Sequence, residues 1–121
     1  MIRMRRRTVA FVFLTMLFPT VYAVEQETYR VILKFGSVCC GIDMALHERI
    51  SRILSEYERE SNVSLDRHMV YWGEEGEFNL CLRLGKLSAT EQETLTERLR
   101  LAIGGNELVK LEENALCKEG W

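Results

Sequence analysis

The sequence predicts an α+β fold, a ferredoxin-like βαββαβ plait: a four-stranded antiparallel sheet in the order 4-1-3-2 with two helices on one face. Three observations predict it. An alternating strand pattern from Glu27 runs into a helical one, two β-rich runs flank a glycine-bounded turn, and a second capped helix leads into a last β-rich segment. Unrelated proteins share this topology, so it predicts no activity by itself.

The 121-residue chain has room for one domain, and residues 1–23 are read apart from it. Arg3, Arg5, Arg6 and Arg7 precede a short apolar run, Val9 to Phe18, and Val-Tyr-Ala ends the segment at Ala23. That is the pattern of a cleaved secretory signal peptide; the apolar run is about half the roughly 20 residues a membrane span needs. The mature domain is then expected at residues 24–121, in the periplasm or outside the cell. Loss of the leader removes four arginines and no acid, leaving 12 basic against 18 acidic side chains, a net charge of −6. An acidic surface argues against nucleic acid or an anionic membrane as partner, since phosphate binding needs clustered cations.

The first strand, Glu27 to Phe35, alternates Tyr29, Val31, Leu33 and Phe35 with Arg30, Ile32 and Lys34, the period of a strand with one buried face. Asp43 can cap the helix that follows to about Glu60, in which Leu46, Ile50, Ile53, Leu54 and Tyr57 form the apolar stripe. A sequon, Asn62-Val63-Ser64, comes next. His68 to Trp72 and Glu77 to Leu84 then form a hairpin around Gly73-Glu74-Glu75-Gly76. A three-residue loop with a bulge at Gly76 would put Val70 and Trp72 on the buried face with Phe78, Leu80 and Leu82, and leave Met69, Tyr71, Asn79, Cys81 and Arg83 on the other; a two-residue turn would reverse the first strand. Ser88 and Glu91 form a capping box for the second helix, which would bury Leu95, Leu99, Ala102 and Ile103 and stop at Gly104-Gly105. The last strand is expected from Glu107 to Leu111, continuing towards Leu116.

The four cysteines, Cys39, Cys40, Cys81 and Cys117, all follow the leader. An even count in an oxidising compartment means disulfides, and four cysteines allow three connectivities. Cys39 and Cys40 fall in the loop after the first strand, within FGSVCCGID. In position and topology this loop resembles the thiolate loop of small exported heavy-metal-binding domains and metallochaperones. That resemblance implies a thiol-based metal site at Cys39 and Cys40 as the alternative reading, although the family signature Met-x-Cys-x-x-Cys is replaced here by adjacent cysteines, whose side chains diverge. Nor does the Cys-x-x-Cys spacing of thiol oxidoreductases occur. The leading expectation is two structural staples, one cysteine of the pair reaching Cys81 and the other Cys117; in the alternative Cys81 bridges Cys117 and the pair bridges itself.

Catalysis finds little support, because neither His47 nor His68 has an evident nucleophile beside it. Glu74, Glu75 and Glu77 cluster at the hairpin tip without a calcium-loop pattern, and neither zinc spacing nor a phosphate-cradling glycine loop occurs. No cofactor is expected. The open sheet face would instead show Ile32, Met69, Tyr71, Asn79 and Cys81 among Arg30, Lys34 and Arg83. With Ile32, Met69, Tyr71 and Arg83 as contacts, this face suits a protein or peptide partner or a homodimer seam, unless the C-terminal tail, held through Cys117 and Trp121, covers it. The sequence thus points to an exported, non-enzymatic binding or accessory protein.

Overall fold

The computed structural model of the chain describes Leu17, Pro19 and residues 27–121; but for Leu17 and Pro19, the leader assigned to residues 1–23 lies outside the described residues. Six elements follow in order: β1 (Thr28–Phe35), α1 (Met44–Ser61), β2 (Asp66–Tyr71), β3 (Phe78–Arg83), α2 (Ala89–Ile103) and β4 (Val109–Leu116). The strands form one antiparallel sheet in the order β2-β3-β1-β4, the expected order read from the opposite edge. No helix among the described residues is long and apolar enough to cross a membrane.

Local signals start and stop the helices. The Asp43 carboxylate accepts from the Leu46 N–H at 3.0 Å, and Asn62 closes α1 in the left-handed conformation. At α2 the Ser88 hydroxyl accepts from the Glu91 N–H while the Glu91 side chain accepts from the Ser88 N–H, so two end donors are satisfied together. Leu46, Ile50 and Leu54 of α1 and Leu95 and Leu99 of α2 bury their stripe against Val31, Leu33, Phe35, Leu80 and Leu82 of the sheet. Each such side chain contributes about 1.5–3 kcal/mol through burial. The Tyr57 hydroxyl donates to the Glu91 carbonyl at 3.0 Å and links the two helices; burial, the largest cause, raises its pKa.

Two side-chain placements differ from those expected. In the hairpin Tyr71 pairs with Phe78, and the Trp72 N–H donates to the Glu77 carbonyl, which leaves a four-residue loop, Gly73 to Gly76. The even count reverses β2 relative to the bulged three-residue loop. Met69 and Tyr71, opposite Leu80 and Phe78, lie on the helix side of the sheet, and Val70 and Trp72 on the other. The second difference is at the start of β1. Arg30, expected on the open face, reaches Glu93 of α2 at 2.8 Å and Glu113 at 2.6 Å, whereas Tyr29 stacks near His68 and Arg83, on the side expected to be open. Asn114 has a positive φ of 50° beside this point of β4, where the strand departs from regular extended geometry.

Candidate functional site

The face of the sheet away from the helices is closed by the chain's own C-terminus. Cys81 on β3 is joined to Cys117, with Cα atoms 5.9 Å apart, and this brings the tail across the sheet. Asn79, fully buried between Phe78 and Leu80, is satisfied by that tail and by Trp72. Its amide donates to the Lys118 carbonyl at 2.7 Å and the Gly120 carbonyl at 2.8 Å, and its oxygen accepts from the Trp72 indole N–H at 3.0 Å. Beyond Gly120 the Trp121 ring lies so close to Gly36 that a Cβ there would sit 2.7 Å from it. The Lys110 ammonium stands 4.2 Å above the same ring, within cation–π range.

The tail removes most of the surface expected to meet a partner. Ile32 and Cys81 have no exposure, and Lys34, paired with Glu112 at 3.3 Å, is buried. Nor does the fold bring Ile32, Met69, Tyr71 and Arg83 together. Ile32 lies under the tail, Arg83 pairs with Glu27 and covers the Tyr29 ring, and Met69 and Tyr71 are on the opposite face. The tail covers the face expected to be open, and the reversed β2 places Met69 and Tyr71 on its other side.

The cysteines take the second connectivity. Cys39 is joined to Cys40 and Cys81 to Cys117, so no bridge fastens the β1–α1 loop to the sheet. Among the described residues no cysteine is free, and no three His, Cys, Asp or Glu side chains are grouped to hold a metal ion.

The Cys39–Cys40 loop borders a cleft of about 300 Å³ between the first turn of α1 and the hairpin, lined by Cys40, Ile42, Met44, His47, Tyr71 and Phe78. Phe78 is buried and stacks on Phe35 at 4.7 Å, so the cleft floor belongs to the core. The His47 ring stands edge-on to Phe78 at 4.9 Å and to Phe35 at 5.6 Å; it packs as an aromatic wall. The rim is apolar and wet: Tyr71 is 64% exposed and Met44 56%. Such an exposed apolar cluster on a polar surface is where association removes the most apolar area from water.

Glu77 braces the cleft. Its carboxylate accepts from the Ser37 hydroxyl at 2.7 Å and from the Glu75 N–H at 2.8 Å, tying the hairpin turn to the cysteine loop. The Ser37 hydroxyl above all, with backbone N–H groups after it, holds this carboxyl below the usual carboxylate range. Sequence reasoning placed Cys40 and Tyr71 separately and missed Met44, His47 and Phe78 as their neighbours. One signal was present: Met44 is a large apolar residue at the start of α1, outside the stripe that begins at Leu46. Compared with protein-family models, curated proteins and solved structures, the chain finds no match.

Proposed function

We propose that this is an exported, disulfide-stabilised binding or accessory protein without enzymatic activity, and that it engages a protein or peptide partner through the cleft between the Cys39–Cys40 loop, α1 and β2. One observation carries the reading: Met44 and Tyr71, large and apolar, stand in water around a cleft floored by the core residue Phe78. Paired cysteines suit an oxidising compartment, in keeping with the leader at residues 1–23. The absence of catalysis is argued from His47, whose ring is taken up by Phe35 and Phe78, and from His68, which stacks near Tyr29.

Site-specific photocrosslinking in the host tests this. A benzophenone amino acid at Met44 is expected to give a discrete adduct that Tyr71→Ala abolishes, while the same probe at Lys110, on the strapped face, gives none. An adduct from Lys110 alone refutes the cleft as the recognition surface. The export part is tested by mass spectrometry of the purified protein, which should begin at Val24; a retained leader on protein in the cytoplasm refutes it.

A further inference from the structure

We infer that the free edge of β2, together with the adjoining cleft, binds an extended segment of a partner protein as a fifth strand, with one large apolar side chain in the cleft and Lys or Arg side chains against Glu74 and Glu75. This rests on the cleft being the recognition surface proposed above and adds what it recognises.

β2 is an outer strand of the sheet, paired only with β3. The Trp72 N–H bonds to the Glu77 carbonyl, and in an antiparallel ladder the residues whose main-chain groups face the partner strand alternate with those that face away. Val70 and His68 therefore share the inward orientation of Trp72, while Arg67, Met69 and Tyr71 present unpaired N–H and C=O groups to solvent. The register with Leu80 and Phe78 puts the Met69 and Tyr71 side chains on the cleft side of the sheet. Both residues thus offer main-chain hydrogen bonds to an incoming strand, and Tyr71, which lines the cleft, adds side-chain contact to what enters it, the combination that strand-addition sites use. The other outer strand, β4, is a poorer template: Asn114 interrupts it with a φ of 50°, a local kink of the kind that protects edges.

Cleft size and charge narrow the occupant. Small-molecule sites run from about 300 to 1,000 Å³, so a cleft of about 300 Å³ suits one large side chain better than a whole cofactor. Along the β2 edge the cation Arg67 is already held by Glu58. Among the described residues Glu74 and Glu75 have no ion pair, and Glu75 lines the cleft. The uncompensated charge at the hairpin end is negative, complementary to a cationic segment. A second copy of this acidic chain would bring no free cation on its own β2.

The probe is the peptide acetyl-Lys-Thr-Trp-Thr-Lys-amide, in which the tryptophan and both lysines share one face of a strand, titrated into the ¹⁵N-labelled full domain with both disulfides intact. Saturable binding is expected, with exchange protection appearing at the Arg67, Met69 and Tyr71 amides. Affinity should fall about tenfold or more when the tryptophan and lysines are N-methylated, removing at least two main-chain hydrogen bonds. It should fall several-fold with Glu75→Lys and weaken as salt is raised. An N-methylated peptide that binds equally well, while Tyr71→Ala still abolishes binding, overturns strand addition and leaves the cleft intact. Binding indifferent to Tyr71→Ala, Met44→Ala and N-methylation alike overturns both readings. No saturable binding of the unmodified peptide overturns the inference, and the Met44 crosslink then decides the cleft on its own. Protection of the same amides without peptide, rising with protein concentration, assigns the edge to a second copy and also overturns it.

Discussion

The two disulfides should differ sharply in what their removal costs. Cys81 and Cys117 are 36 residues apart, and the loop-entropy relation for a closed loop of that length gives about 3.8 kcal/mol at 25 °C. Cys39 and Cys40 are neighbours, so their bond closes off no chain that the unfolded state would otherwise explore. Its removal at an exposed loop should lie within about 0.5 kcal/mol of neutral. For a domain of this size each kcal/mol moves Tm by about 4–8 °C, so Cys81→Ala/Cys117→Ala should lower Tm by roughly 15–30 °C. Cys39→Ser/Cys40→Ser should leave it nearly unchanged. Thermal and urea unfolding of the two double variants beside the parent, followed by tryptophan fluorescence and far-UV circular dichroism, measure the differences in Tm and in stability. The fluorescence of the staple variant should also change before unfolding, because Trp72 and Trp121 both contact the strap region. A staple variant that loses less than about 1 kcal/mol, or an adjacent-cysteine variant that loses as much as the staple variant, refutes the assignment of stability to the tail bridge.

Three further perturbations test the frame around the cleft. Asn79→Leu strands the Trp72 indole N–H and the Lys118 and Gly120 carbonyls, three hydrogen bonds at about 1 kcal/mol each; a drop of roughly 2–4 kcal/mol in urea unfolding is expected, and an unchanged midpoint rules out the amide as anchor of the tail. The carboxyls of Glu77 and Glu113 both lie below the usual 4.5, the first through the Ser37 hydroxyl bond and the second through Arg30. Their contribution is complete above the unfolded pKa and is lost as pH falls through the lower folded values. The urea midpoint should decline below about pH 4.5, and Glu77→Gln should make that decline shallower; an identical pH profile removes Glu77 as a brace. Ser88→Ala should cost about 1 kcal/mol through loss of the α2 cap, and no change in the unfolding midpoint would mean that the reciprocal bonds seen at that end contribute nothing net.

Most of the architecture was legible because its signals are local. The Asp43 and Ser88 caps, the α1 stripe and the β-rich runs act within one or two turns of chain, and a single topology accommodates their order. The hairpin was misread at the one point where a local signal is ambiguous. Gly76 does take a left-handed φ of 87°, as a bulged three-residue loop requires, but it does so within a four-residue loop. A difference of one residue in loop length moved Met69 and Tyr71 from one face of the sheet to the other, and with them the expected partner surface. The exchange of Tyr29 and Arg30 was not legible, because it occurs beside Asn114, some 84 positions further along the chain.

The closure of the sheet face is a different case, since its signal is present in the sequence. Asn79 stands among Phe78, Leu80 and Leu82 in a central strand, where a buried amide must find partners for two donors and an acceptor. Neighbouring strands spend their main-chain groups on the ladder, so free carbonyls must come from irregular chain, and Cys117 lies within three residues of the carbonyls that supply them. Read together, Asn79, Cys81 and the Cys117 tail imply one another: the bridge brings the tail, and the tail satisfies the amide. With that face closed by the chain itself and the other covered at its centre by two helices, Met44, Met69 and Tyr71 remain exposed beside the β2 edge. The proposed partner is sought there, from what Met44, Tyr71 and the free main-chain groups of β2 can hold.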